Sequence, residues 1–380
     1  MKKYRITAIV MALLLAASMT ACGSSSDTGT TAAAEDTTAA ETTAADTDTS
    51  AADEESEAAE ETAGDTTEVG DLGGQEAVTL KLASVIAVGA PGDLAANDFV
   101  EMVEEKTGGL VTIDYYPAGQ LGSSDEISEQ LLEGTIDLSW QTLDWYMTLQ
   151  SDWNVLGLGF SVSSEEQLQA FLESDKEAEI EASLIEEDGV RLLAADGIGS
   201  PRVVVSTMPV NSAEDLENVN MRVPSLTLYT KTWQAIGVNC ITLESGDVYM
   251  GFKDGMIDAT EFPLGSIYSN SYHEVASYIT YTNHLYSIYC MGMNETTFQQ
   301  LTEETQQILL ECAEAACDAY MEYDDAAVEE GVAAMVEAGV TINENPDLES
   351  FQEKMADVAA ECEAEGLWSE GLYDYLQSLG

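Results

Sequence analysis

Residues 78 to 86, VTLKLASVI, alternate apolar and polar side chains around β-branched positions, the pattern of a half-buried strand. Between Gly92 and Thr107 the period lengthens to that of a helix, with Leu94, Phe99, Met102 and Val103 on one face, and GGLVTIDYYP then supplies a second strand. The alternation continues with a helix at 124–133, a strand TIDLSW at 135–140, helices at 164–174 and 176–188, and a strand VRLLAAD at 190–196. A second block opens near Ser200. It reads as strand RVVVS, a short acidic helix at 212–217, strand NMRVP, a helix at 226–236, a short strand at 238–242, a helix at 246–253, and the segment MIDATEFP. Strand–helix alternation of this kind predicts an α/β architecture with mainly parallel sheets. The Ala- and Glu-rich run from Thr302 to Gly339, with Leu309, Leu310, Ala313 and Ala316, predicts one long helix that bridges the two blocks. The expected organisation is a two-domain α/β fold with a ligand cleft between the domains. Domain I comprises 78–199 with about 288–328, and domain II comprises 200–287 with about 329–380.

The chain ahead of residue 78 has a different composition. Lys2, Lys3 and Arg5 precede an apolar run from Ile6 to Ala17 and the small-residue site SMTAC that ends at Cys22. This predicts a signal peptide of the bacterial lipoprotein type at 1–21, too short to serve as a permanent span, with Met19 where Leu is commoner. A diacylglyceryl group on Cys22 would then hold the protein at the extracytoplasmic face of the cell membrane. Residues 22–77 carry Thr, Ala, Asp, Glu, Gly and Ser with no basic and no aromatic side chain, and predict an extended, disordered tether. The regular acidic–glycine spacing of calcium loops is absent from it.

Charge narrows the functional classes. With 71 acidic against 12 basic residues the formal charge is −59, yet 45% of the chain is hydrophobic, so a large core with an acidic skin is expected. No cluster of Lys and Arg follows the first five residues, which argues against nucleic-acid binding. Beyond Cys22 five cysteines remain, an odd number without a CxxC pair or a nearby His, so neither a disulfide framework nor a zinc site is expected. No phosphate loop, HExxH, GxSxG or Cys–His pairing is present, and the histidines are His273 and His284 alone. Neither an enzyme nor a cofactor site is expected.

Arginine is scarce, and Arg202 and Arg222 each stand at the end of a short strand. A guanidinium there offers a rigid fork matched to a carboxylate, and in so acidic a chain an anionic ligand needs such a cation to enter. The alternative is that each arginine pairs with a surface carboxylate of the protein; spacing alone does not separate the two.

From about residue 78 to 380 the chain resembles the substrate-binding proteins of TRAP transporters, the ion-driven tripartite importers of organic acids, in the dicarboxylate and sialic-acid-binding branch. The resemblance lies in the order of YYPAGQLG (115–122), EGTIDLSW (133–140), NMRVPS (220–225), GMIDATEFP (255–263), TNH (282–284) and MNETTFQQLTEETQQIL (293–309). It implies a periplasmic-binding-protein-like fold in which Arg222, in the RVP motif, pins a ligand carboxylate and Arg202 is a second carboxylate contact. His284 stands where the family places a histidine beside the cleft. The chain also departs from the pattern. TEFP replaces the usual QENP, so Phe262 stands for a cleft asparagine, and Val85, Thr142 and Ser245 occupy three further positions that are Asn, Glu and Phe in sialic-acid binders. These departures imply an organic acid other than sialic acid, with an apolar or aromatic portion against Phe262 and Trp140, or a stacked sugar acid. Trp145, Tyr146, Trp153 and Tyr229 are candidates either for the cleft or for packing, and Asp258 and Glu261 for a fold or hinge role. The implied partners are a small organic acid and a TRAP permease, with the protein a monomer. A binding protein of an ATP-driven importer and an acidic surface adhesion or sensor module are the alternatives.

Overall fold

The computed structural model describes residues 72–380. The signal peptide, Cys22 and the tether up to residue 71 lie outside the described residues. The tether's last residues are packed: Leu72 is buried, its carbonyl accepts a hydrogen bond from the Thr302 hydroxyl at 2.9 Å, and Gln75 Oε1 accepts from Thr302 N at 3.0 Å. Ordered packing therefore begins ahead of the strand expected to open the fold, because the Leu72 carbonyl and the Gln75 side chain both bond to Thr302 at the start of the long helix.

Among the described residues the strands are β1 (Val78–Ala83), β2 (Val111–Tyr116), β3 (Leu138–Thr142), β4 (Val190–Ser206), β5 (Asn220–Val223), β6 (Asn239–Thr242), β7 (Ala259–Pro263), β8 (Tyr278–Thr280), β9 (Tyr286–Asn294) and β10 (Thr341–Asn343). They join in the order β2-β1-β3-β9-β4-β7-β5-β6, with β8 against β4 and β10 against β8. The sheet is mixed rather than mainly parallel. The pairs β1–β2, β1–β3, β5–β6, β5–β7 and β8–β10 are parallel, whereas β9 runs antiparallel to both β3 and β4, and β4 runs antiparallel to β7 and β8. Periodicity identifies a strand but carries no information about the direction of a partner a hundred residues away.

The two strands expected at 190–196 and 202–206 are one. The first part of β4, from Val190 to Pro201, pairs with β9, and the rest, from Arg202, pairs with β7 and β8. Register shifts between Leu192 and Pro201 take the chain from one half of the sheet to the other. Gly199 lies in this stretch, where an added Cβ would collide with the Tyr320 hydroxyl of the long helix. That helix spans Glu303–Glu337 and starts on a Thr302 cap. Its Leu309, Cys312, Ala313, Ala316, Cys317 and Tyr320 enter a core with Leu80, Leu82, Phe99 and Val103, while Met335 enters another with Val203, Val205 and Phe252. The helix bridges two cores, as its length and small apolar side chains suggested.

The other helices follow their signals closely. Ser123 and Glu126 form a reciprocal capping box at the start of the Ser124–Glu133 helix, and Gly134 closes it in the left-handed conformation. In the Pro91–Thr107 helix the buried face is Ala95, Ala96, Phe99 and Val103, and Leu94 is 41% exposed. The five described cysteines are unpaired, four buried and Cys240 half-buried.

One buried acid makes the fold sensitive to pH. Glu177, on the Asp175–Ser183 helix, is 3% exposed and accepts from Trp153 Nε1 at 2.8 Å, so Trp153 packs here rather than at the cleft. Burial pushes its carboxyl up to about 8 from the ordinary 4.5, against the lowering effect of the Trp153 hydrogen bond. The folded state therefore holds a proton that the unfolded chain releases, and stability falls as pH rises between about 4.5 and about 8. Glu177→Gln keeps the acceptor and removes the titration. It should raise the melting temperature at pH 8 while leaving it nearly unchanged at pH 4, and an equal shift at both pH values would contradict the assignment.

Candidate functional site

The carboxyl ends of parallel strands β5 and β7 bring the rare arginines together. Arg222 is the third residue of β5 and pairs in register with Thr260 of β7; Arg202 of β4 lies opposite Pro263, the last residue of β7. Such strand ends are where open α/β sheets hold their ligands. From the other half, Val85 follows β1, and Trp140 and Thr142 lie at the end of β3. These segments face one another across a cavity of about 230 Å³ whose walls include Val85, Trp140, Thr142, Arg202, Arg222, Ser245 and Phe262.

Arg202 and Arg222 are not equivalent. The guanidinium of Arg202 is bidentate on Glu261, with Nε on Oε2 and a second nitrogen on Oε1 at 2.8 Å, and its third nitrogen donates to Ser287 Oγ at 3.0 Å. Burial works to lower the Arg202 pKa, but the adjacent Glu261 carboxylate outweighs it and the net shift is upward. Glu261, fully buried, is raised by burial and lowered more by Arg202 and His284, ending at about 2. Arg222 is 4% exposed and donates Nε to the Leu243 carbonyl at 2.8 Å. Among the described residues it has no carboxylate within ion-pair distance, and burial lowers its pKa. A guanidinium stays protonated regardless, so Arg222 presents to the cleft a positive charge that Glu261 and Glu244 moderate from a distance but that no carboxylate pairs directly.

Phe262 lies between the two guanidinium groups, 5.5 Å from that of Arg202 and 5.8 Å from that of Arg222. Trp140 is fully buried, donates Nε1 to the Gly92 carbonyl at 2.8 Å and packs on Tyr289 at 5.4 Å, so one of its ring edges lines the cleft while the rest is core. His284 does not reach the cleft surface. It lies behind Glu261, with Nε2 3.3 Å from Oε2 and Nδ1 2.8 Å from the Thr282 hydroxyl, and burial keeps its imidazole pKa low against the opposing pull of Glu261. Trp145 and Tyr229 line the cavity, and Tyr146 is buried against Ser139 at 2.7 Å.

Several lining groups were not evident from the sequence. Ser287 and Tyr289 come from β9, and Asp144 sits in the short helical turn Leu143–Tyr146. Asp144 is 5% exposed, accepts from the Tyr229 hydroxyl at 3.1 Å, and has its carboxyl pushed up by burial against the opposing pull of Arg202. An acid between Leu143 and Trp145 was the available signal, since such a residue on a buried turn needs a reason to be there. The ensemble offers one free cation, aromatic faces and several hydrogen-bonding groups, an arrangement suited to holding a small organic anion.

Comparison with known proteins agrees with this geometry. Residues 82–365 match the family described as bacterial extracellular solute-binding protein, family 7. A solute-binding protein of Chromohalobacter salexigens is 28% identical over 265 residues, covering 70% of this chain and 79% of the relative. The ectoine-binding periplasmic protein TeaA of Halomonas elongata is 29% identical over 272 residues, covering 70% of this chain and 79% of the relative. Among solved structures, a TRAP periplasmic solute-binding protein from Roseobacter denitrificans with bound β-D-glucuronate is similar with a TM-score of 0.75 and 26% identity, over 79% of this chain and 99% of that one. The chain belongs to the bacterial extracellular solute-binding protein family 7.

Proposed function

We propose that this protein captures an organic acid outside the cytoplasm by its carboxylate and delivers it to the ion-driven permease of a TRAP-type importer. The observation that carries the reading is Arg222: a buried guanidinium that opens on the cleft with no carboxylate within ion-pair distance among the described residues, Glu261 and Glu244 acting on it only from further away. The carboxylate-bearing ligand named for the similar Roseobacter protein supports the same reading. Arg202, fixed by Glu261, lends its field and its shape to the pocket, and Phe262, Trp140, Thr142, Val85 and Ser245 surround the rest of the ligand. His284 contributes by holding Glu261 rather than by contact.

The ligand is bound and released unchanged. Domain I (78–199 with about 288–328) and domain II (200–287 with about 329–380) close on it, because a ligand touching both stabilises the closed form over the open one. The closed monomer then docks on the permease, and a lipid on Cys22 with the acidic segment behind it keeps the binding domain at the membrane surface.

A thermal-shift screen tests this on the folded part of the chain, residues 72–380. The panel holds monocarboxylates, dicarboxylates, keto acids, sugar acids and aromatic acids, with neutral sugars and calcium as controls. An acid at a hundred times its Kd should stabilise the fold by about 2.7 kcal/mol. A response confined to neutral sugars or calcium overturns the reading.

A further inference from the structure

The charged groups of the cleft fall in an order. The Phe262 ring lies 5.8 Å from the Arg222 guanidinium and 5.5 Å from that of Arg202; Arg202 lies 5.2 Å from the Tyr229 ring, and the Tyr229 hydroxyl donates to Asp144, whose carboxyl feels Arg202. The cleft thus runs from a cation without an ion-pair partner at Arg222, past an arginine already matched by Glu261, to a carboxyl group at Asp144. No lysine or histidine lines it. Glu244, exposed, is the other carboxylate on its wall.

We propose that Asp144 is a specificity-determining residue that restricts this cleft to hydroxylated monocarboxylates and excludes dicarboxylates. The proposal rests on the carboxylate reading above and deepens it. A second carboxylate, reaching away from Arg222, would arrive where every guanidinium nitrogen of Arg202 already has a partner. Ionised, Asp144 repels it; protonated, Asp144 offers a hydrogen bond but no charge. In neither state does that end of the cleft supply the cation a desolvated carboxylate requires.

The chemistry of the rest of the ligand follows from the same group. Ligand hydroxyls donate, and Asp144 can accept from them in either state, whereas a second carboxylate only accepts. Asp144 therefore favours a carboxylate at one end and hydroxyls along the remainder.

Matched acids test this by calorimetry: gluconate against glucarate, and threonate against tartrate, each pair differing by a terminal hydroxymethyl in place of a second carboxylate. Wild-type protein should bind the monocarboxylate of a pair about tenfold or more tightly than its dicarboxylate, and Asp144→Asn should bring the two within about threefold. Asp144→Ser, smaller and equally uncharged, serves if the Asn variant does not fold. Equal affinities in the wild type, or a ratio unmoved by either substitution, overturn the proposal while leaving the carboxylate reading intact. Binding that survives Arg222→Ala, or no binding of any of the four acids, counts against the carboxylate reading itself.

Discussion

Glu261→Gln should lower the melting temperature by about 5–10 °C. The Glu261 side chain is fully buried and forms the two-point contact that balances Arg202, with His284 on its other side. Removing one partner of a buried pair typically costs about 3–5 kcal/mol, because the remaining charge stays out of water without compensation. With about 2.1 cal/mol/K of unfolding entropy per residue, a fold of roughly 300 residues loses about 1.5–2 °C per kcal/mol, so the expected drop is about 5–10 °C. The pH dependence carries a sign that identifies the mechanism. Glu261 titrates at about 2 in the fold against an ordinary 4.5, so its contribution is present above about 4.5 and is lost as pH falls toward about 2. The Gln variant should lack that acid-labile component, and the two melting curves should converge at low pH. Parallel curves would mean that the loss comes from packing instead.

The other large effect is on affinity. Arg222→Ala should weaken binding of the cognate acid by about 2–5 kcal/mol, roughly thirtyfold to several thousandfold, with most of the change in the dissociation rate. The fold should tolerate it, since within the protein Arg222 gives one hydrogen bond, to the Leu243 carbonyl, and no ion pair among the described residues. Arg222→Lys keeps the charge but loses the fork and should recover only part of the affinity. Unchanged affinity in Arg222→Ala, measured by calorimetry on folded protein, would remove the anchor from the proposed mechanism. Contrasting outcomes for these neighbouring sites, stability at Glu261 and affinity at Arg222, follow from a single difference: which charge the protein itself has already satisfied.

That difference is where the sequence stopped being informative. Arg202 and Arg222 are twenty residues apart on similar strand ends, and no local pattern says that Glu261 closes on one and leaves the other open. His284 reads as a cleft residue from its place in TNH, yet its ring lies a layer behind, held by Thr282 and Glu261. Helical periodicity was legible: the helix expected at 124–133 and the long helix expected within 302–339 are both there, at Ser124–Glu133 and Glu303–Glu337. Strand direction was not legible, since β9 meets β3 and β4 only through pairs far apart in sequence, from Pro201 with Tyr286 to Leu138 with Met293. Asp144 escaped notice for a similar reason, as an acid on a tight turn reads as solvated until the Tyr229 helix is packed over it.

The late strand β9 has a consequence for how the molecule is made. From Val190 to Pro201, β4 has no sheet neighbour other than β9, and β3 has β9 along one whole edge. As the polypeptide emerges amino end first, the 190–201 part of β4 and one edge of β3 must wait, unpaired, until residues 286–294 arrive. A chain halted at residue 285 would carry two open edges of buried, apolar sequence, the configuration that recruits other chains. Completion of this fold is gated by its last third, and truncation products should be recovered as aggregates rather than as a working half.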